Sequence, residues 1–363
     1  MAAKSEPRLI NLALQGGGSH GAFSWGVLDR LLEDDRIEIE AITGASAGAM
    51  NAVALADGMV DGDREHARQS LREFWEGVLR EAGQSPLRRS PIEAMLSGWN
   101  LDTSPAFVMF DLITRIASPY DFNPLNLNPL RDLLVELVDF DKVRKSRLKL
   151  FVSATNVETG RAEVWDKSEL TADHVMASAC LPWLFQAVEI DSVPYWDGGF
   201  TGNPALWPLF ENCVSDDVVL VQINPIRRPG APKTARDIIN RINEITFNAS
   251  LLRDLRAVDF VTRLIEAGRL EGTGYRRMLV HTISDEAELS QLGASSKFNV
   301  ETGFIDMLFD HGRSAADDWL KANFNSLGKR STVDVRKMFQ GEDDSLDGSQ
   351  LQPPKRTKLK AAK

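Results

Sequence analysis

Residues 12–26 read "LALQGGGSHGAFSWG". A short apolar run ends in Gly16, Gly17 and Gly18, and Gly21 follows. Apolar residues then recur at Ala22, Trp25, Leu28, Leu31 and Leu32, the stripe of an amphipathic helix. The order is strand, glycine turn, helix. Spelled Gly16, Gly18, Gly21, the turn is also G-x-G-x-x-G, the fingerprint of a loop that cradles a dinucleotide pyrophosphate. The same backbone N–H groups would equally receive an oxyanion that develops during catalysis. The next strand decides between the two.

That strand, "IEIEAIT" (37–43), runs into "GASAG" (44–48) and then a helix. A dinucleotide site wants an acidic residue about 20 residues beyond the glycines, at the strand's end, to hold a ribose. Glu38 and Glu40 lie near that spacing but inside the strand. The strand's end carries G-x-S-x-G instead, a sharp strand-to-helix turn that exposes a serine Oγ. All four neighbours of Ser46 (Gly44, Ala45, Ala47 and Gly48) are small, as such a turn requires. The helix that follows brings its N-terminal N–H groups and positive dipole end beside Ser46. In a parallel sheet both turns lie at the same edge. The loop at Gly16–Gly18 then faces the elbow at Ser46, an arrangement suited to a tetrahedral oxyanion.

The rest of the chain repeats this grammar. Strands are predicted at 9–15, 148–160 with "AEVWD" as hairpin partner, 217–225 and 277–284. Helices are predicted at 20–34 and 64–82, from 174 until Pro182 stops it and apolar chain follows to 190, over most of 234–270, and at 300–325. Together they read as an α/β chain with a mostly parallel central sheet flanked by helices. A proline-broken stretch, 84–129, interrupts the pattern and holds Trp99, Phe107, Phe110, Tyr120 and Phe122. It reads either as a lid or binding surface, or as short core helices. The domain plan is a catalytic core at 8–210 with the insertion 84–129, then 211–330 as the remainder of the same domain. The polar, then basic, tail at 341–363 is expected to be disordered.

Composition narrows the function. The 363 residues are 43% hydrophobic and 26% charged, as in ordinary globular proteins. A net charge of −10 argues against a nucleic-acid partner, whose phosphates demand a basic surface. Cys180, Cys213 and the five histidines form no metal-ligand spacing, so neither a metal nor a disulfide framework is expected. The N-terminus lacks the apolar core and cleavage site of a signal peptide. No stretch reaches the ~18 apolar residues of a spanning helix. The nearest, "FVMFDLITRIA" (107–117), contains Asp111 and Arg115. The expected location is cytoplasmic, with at most peripheral contact at a membrane or lipid inclusion.

A serine nucleophile needs a base. Asp197 stands in "WDGGF", followed by Gly198 and Gly199, in a turn that lets a carboxylate approach another backbone element. His281 and His311 come later, in the Ser, Asp, His order of α/β-hydrolases. His281 lies in an apolar run where a buried structural histidine is the more ordinary reading, and His311 lies in the last predicted helix. A dyad and a triad both stay open on these residues.

The three motifs, G-G-G-x-x-G, G-x-S-x-G and D-G-G, stand in the order of the patatin-like phospholipase family, which the chain resembles. "ATNVETG", "ASACLPWLFQAV" and Asn203–Pro204 add to the likeness, which is close over about 8–210 and looser beyond. The resemblance implies a three-layer α/β/α fold and a lipid acyl hydrolase without cofactor or metal. It implies Ser46 as nucleophile, Asp197 as base without histidine, and an oxyanion held by the Gly16–Gly18 loop. It also implies a lipid or membrane-surface ester as substrate. His20 departs from the pattern, since that loop position is often basic in the family. Two alternatives accompany this reading: an acyltransferase on the same scaffold, and a nucleotide-binding protein using the G-x-G-x-x-G loop. For contact with a lipid surface the expected residues are Trp99, Phe107, Phe110 and Phe122.

Overall fold

Alternation along the first strand sets the layers. In β1 (Arg8–Leu14), Ile10, Leu12 and Leu14 point into one apolar cluster and Ala13 into another. A strand buried on both faces needs a continuous apolar run, and this is why β1 reads as one. The computed structural model describes residues 6–60, 63–83, 89, 90, 93, 94 and 97–341. The other strands are β2 (Ile37–Gly44), β3 (Lys149–Asn156), β4 (Ala162–Asp166), β5 (Val188–Ile190), β6 (Val193–Asp197), β7 (Asp217–Val221) and β8 (Leu279–Ile283). Among the described residues they form one mixed sheet in the order β5–β6–β3–β2–β1–β7–β8, with β4 also paired to β3. The pairs joining β3, β2, β1, β7 and β8 are all parallel. The pairs involving β4, β5 and β6 are antiparallel.

The longer helices are α1 (Gly21–Leu32), α2 (Ala47–Gly58), α3 (Arg64–Ala82), α4 (Pro105–Ile116), α5 (Ala235–Glu266) and α6 (Thr302–Asn323). Phe23, Leu28, Val53, Leu71 and Phe304 of α1, α2, α3 and α6 bury the sheet face that carries Leu12 and Leu14. Leu251, Leu255 and Val258 of α5 cover the opposite face, against Ala13, Ala41 and Leu220. The result is the mostly parallel α/β/α arrangement expected from the sequence. Sheet and helices converge on the ends of β1, β2 and β6, where the three motifs lie.

Two elements differ from the sequence expectation. The helix predicted from 174 and stopped by Pro182 runs from Ala172 to Ser178 and is followed by a turn and then β5. It stops before Pro182 because the Cys180 carbonyl accepts the Asp197 N–H at 2.8 Å, which draws the chain out of helix and onto β6. The strand predicted over 217–225 ends at Val221. Beyond it, the N–H groups of Ile223 and Asn224 turn to Gln15 Oε1 at 3.0 and 2.9 Å. In the proline-broken segment, α4 is followed by the short helix Pro119–Phe122. Residues 84–88 of that segment and the tail from 342 onward lie outside the described residues. Among the described residues no helix is long and apolar enough to cross a membrane.

Candidate active site

β2 delivers Ser46 to the start of α2 at φ 52° and ψ −124°, a backbone region that non-glycine residues enter only under constraint. The constraint is visible. A β-carbon on Gly48 would overlap the Leu14 carbonyl at the end of β1, and one on Gly44 would lie 2.7 Å from the Gly48 carbonyl carbon. The Ser46 N–H donates to Ser178 Oγ at 2.9 Å, which holds the turn from outside.

The glycine loop lies against this elbow. A β-carbon on Gly16 would come 2.7 Å from Ser46 Cβ. Gly18 has φ 58° and packs on the Lys297 carbonyl, while Gly21 packs on Ala47. The Gly16 N–H donates to Asn203 Oδ1 at 2.7 Å. Gly17 and Gly18 line the cavity that holds Ser46. Neither acid considered for a ribose is poised for one. Glu40 accepts from Lys149 Nζ at 2.8 Å and from the N–H groups of Val214 and Ser215, and Glu38 lies on β2 well before its end.

Asp197 ends β6 and lines the same cavity as Ser46. Its Oδ1 accepts the Gly199 N–H at 2.6 Å, and its carbonyl accepts from Thr155 Oγ1 at 2.8 Å. The glycines after it are forced by close approach: a β-carbon on Gly198 would meet the Ser153 carbonyl, and one on Gly199 the Phe247 ring. Only 1% of Asp197 is exposed. Burial pushes its pKa up to about 7, against the opposing effects of the Gly199 N–H, the Ser46 hydroxyl and Lys297. The cavity is about 310 Å³, and its walls include Phe107 of α4, Phe247 of α5, Trp183 and Phe298.

No histidine lines this cavity among the described residues. His281 is buried in β8, with Nε2 2.9 Å from Asp217 Oδ1 and Nδ1 3.0 Å from Thr332 Oγ1. His311 pairs with Asp285 at 2.8 Å. His20 is buried, with Nε2 2.8 Å from Ser296 Oγ. Burial first, then Lys297 and Arg228, hold its pKa well below the usual value, so it stands neutral at a loop position that is often basic in the family the chain resembles. Among the described residues two cations line the cavity: Arg115, which pairs with Asp111 on α4, and Lys297, from a segment with no recognisable motif. Asn203, Asn224 and Ser178, which brace the loop and the elbow, were likewise not singled out as polar partners. The phrases "NP" at Asn203–Pro204 and "ASACLPWLFQAV", which contains Ser178, were the hints. Cys180 and Cys213 are buried, and burial pushes their thiols up to about 12 and about 11.

The aromatic side chains expected to meet lipid divide. Trp99 packs on Phe304 at 5.3 Å between ring centroids, and Phe107 is buried in the cavity wall, so these two belong to the interior. Phe110 packs on Phe298 at 6.2 Å, and Phe122 is exposed. The outer surface is aliphatic instead. Val108, Met109, Leu112 and Ile116 project from α4, and Ile238, Ile242 and Ile245 from α5. A helix that must line a cavity with one face has turned its remaining apolar residues to the outside.

A family model described as patatin-like phospholipase matches residues 12–210, more than half of the chain. No curated relative matches. Among solved structures, VipD from Legionella pneumophila is 16% identical, with a TM-score of 0.40, covering 87% of this chain and 67% of its own. Full-length ExoU of the Pseudomonas aeruginosa type III secretion system, solved with SpcU, is 13% identical, with a TM-score of 0.34, covering 87% of this chain and 54% of its own. The chain thus spans about two thirds of VipD and just over half of ExoU.

Proposed function

Given that the chain belongs to the patatin-like phospholipase family, we propose that it hydrolyses acyl esters of lipids through a dyad of Ser46 and Asp197. The observation that carries this reading is the shared cavity. A serine on a strained elbow and an aspartate held near neutrality by burial face the same space, beside a glycine loop.

In the first half-reaction Asp197 takes the Ser46 proton as Oγ attacks the ester carbonyl. A free aspartate, with a pKa of ~3.9, is a poor base at neutral pH, and burial is what makes this one adequate. The oxyanion forms next to the Gly17 and Gly18 N–H groups, the donors the loop still has to offer once Gly16 is bound to Asn203. The alkoxide leaves with the proton from Asp197, and the acyl group stays on Ser46. Water then attacks, Asp197 again takes the proton, and the fatty acid departs as the proton returns to Ser46. The apolar cavity walls suit an acyl chain, and the substrate comes from a lipid surface.

The test is labelling and product analysis together. A fluorophosphonate should modify Ser46, and mass spectrometry of a mixed lipid extract should show free fatty acid with wild type but not with Ser46→Ala. Labelling or fatty-acid release that survives in Ser46→Ala would assign the chemistry to another residue.

A further inference from the structure

Among the described residues, the Ser46–Asp197 chemistry leaves four charged groups of the cavity unused: Asp111 and Arg115 of α4, which pair with each other at 3.0 Å, Asp102, and Lys297. Lys297 lies in the cavity wall with Ser46, Asp197, Gly17 and Gly18. Its Nζ donates to Asn224 Oδ1 at 2.7 Å, and Asn224 Nδ2 donates to the Gly16 carbonyl at 2.8 Å. Its own carbonyl packs against Gly18. Lys297 is therefore tied to the glycine loop twice, by its ammonium through Asn224 and by its own backbone. The Phe247 ring lies 5.3 Å away and adds a face on which a cation rests well.

What the ammonium lacks is an anion. Among the described residues it is in no ion pair. The acid that acts on it most, Glu244, is engaged by Arg228 at 2.7 Å and Arg241 at 3.0 Å. Asp197 is partly protonated near neutral pH. An ammonium with three N–H groups, one of them accepted by a neutral amide, is an incomplete site in an apolar space. Leaving a cation in such surroundings without a counter-charge is costly, and a ligand that brings one removes the cost.

The remaining surface says what kind of ligand this is. Ser46 takes an acyl ester, the aromatic walls take its chain, and an anion must reach Lys297 from the same molecule. A glycerophospholipid has this composition, with its phosphate only a few bonds from the esterified glycerol carbons. A neutral glycerolipid leaves Lys297 uncompensated. Resting on the hydrolase reading above, we propose that Lys297 is the subsite for the phosphate of a glycerophospholipid and selects phosphate-bearing acyl esters over neutral ones.

Burial pushes the Lys297 pKa down to about 8. The charged groups around it are Glu244 on α5, Asp197 at the end of β6 and Arg228 after β7, with the neutral His20 before α1, and the cavity it lines also holds Asp102 and the Asp111–Arg115 pair of α4. Phosphate affinity should thus fall as pH rises through about 8. A separate decline near 7 belongs to Asp197, whose ionisation repels the phosphate.

The experiment is calorimetric binding to full-length Ser46→Ala, which cannot consume the ligand. The probes are a short-chain phosphatidylglycerol below its micellar concentration and the matched diacylglycerol. Adding Lys297→Met should weaken phosphatidylglycerol binding about tenfold or more, the scale of a charge-assisted hydrogen bond, and diacylglycerol binding far less. Lys297→Arg should restore the preference and lose the decline near pH 8 while keeping the one near 7. Lys297→Gln, closer in shape, repeats the measurement if Lys297→Met unfolds. Equal losses on both probes, unchanged phosphatidylglycerol binding, or no measurable binding by Ser46→Ala would each overturn the proposal. Hydrolysis and Ser46 labelling by the otherwise wild-type protein are read separately. Their absence alongside selective binding sinks the hydrolase reading and spares the subsite.

Discussion

Gly16 approaches Ser46 so closely that a β-carbon on the glycine would lie 2.7 Å from the serine's own. It would also lie 2.8 Å from the Ala45 carbonyl oxygen. Loop and nucleophile are thus one packing unit. Gly16→Ala should displace either the loop or the elbow and lower kcat/KM by ~10² or more, the usual cost of misplacing reacting groups by about an ångström. Steady-state kinetics and the rate of fluorophosphonate labelling should fall together. Unchanged labelling would mean that the elbow tolerates the shift.

Asp197→Asn should lower turnover by ~10² or more, the scale of general-base catalysis. In wild type, kcat/KM should rise with pH through about 7, because only the carboxylate can accept the Ser46 proton. The same substitution should stabilise the fold. Since the folded pKa of Asp197 is raised above its unfolded value, ionisation opposes folding. The cost is absent below the unfolded pKa of ~3.9, grows up to about 7, and is constant above that. Thermal melts of the variant and wild type should therefore coincide near pH 4 and separate as pH rises to 7.

The histidines give the opposite pattern. His281→Ala should cost ~1–3 kcal/mol of stability, because Asp217 and Thr332 each lose a buried partner. Turnover per folded molecule should persist. His311→Ala, at a half-buried pair with Asp285, should do less. Loss of turnover in a protein with an unchanged melting curve would bring the triad back.

Lipid contact should depend on the outer faces of α4 and α5 rather than on Trp99 or Phe107. Both helices wall the cavity with one face and expose aliphatic residues on another, so the apolar rim borders the opening through which a lipid ester must pass. Replacing Leu112, Ile116 and Ile242 by Asn should release the protein from phospholipid vesicles in a flotation assay. The rate on vesicles should drop far more than the rate on a dissolved short-chain ester. Vesicle binding that survives the triple change would move the contact elsewhere.

The motifs were legible because close approach leaves a mark in sequence. Gly44, Gly48 and Gly198 stand where a side chain would strike backbone, and Gly199 where one would strike the Phe247 ring, so the requirement is written in the residue itself. The layers were legible through the apolar runs of the parallel strands. What escaped is tertiary. Asn203, Asn224 and Lys297 act on the loop from far along the chain, and nothing in their neighbourhoods marks them. The helix expected to reach Pro182 ended early because a strand took one of its carbonyls, a competition that no local propensity records. The aromatic segment misled in a similar way. Trp99 and Phe107 pack inside, while Tyr120, Phe122 and the aliphatics of α4 face outward, and composition alone ranks rings first.

The bracing of Gln15 sets the order in which this protein becomes competent. Its side chain is held by Ile223, Asn224 and Asn248, the last 233 residues downstream. A chain emerging from the ribosome N-terminus first exposes the loop and the nucleophile long before these anchors exist, and the aspartate shortly before them. Closing so wide a span waits on the last strands and on α5. The nascent polypeptide thus carries its three signature motifs unarmed, and reactive geometry arises only once synthesis has passed them by.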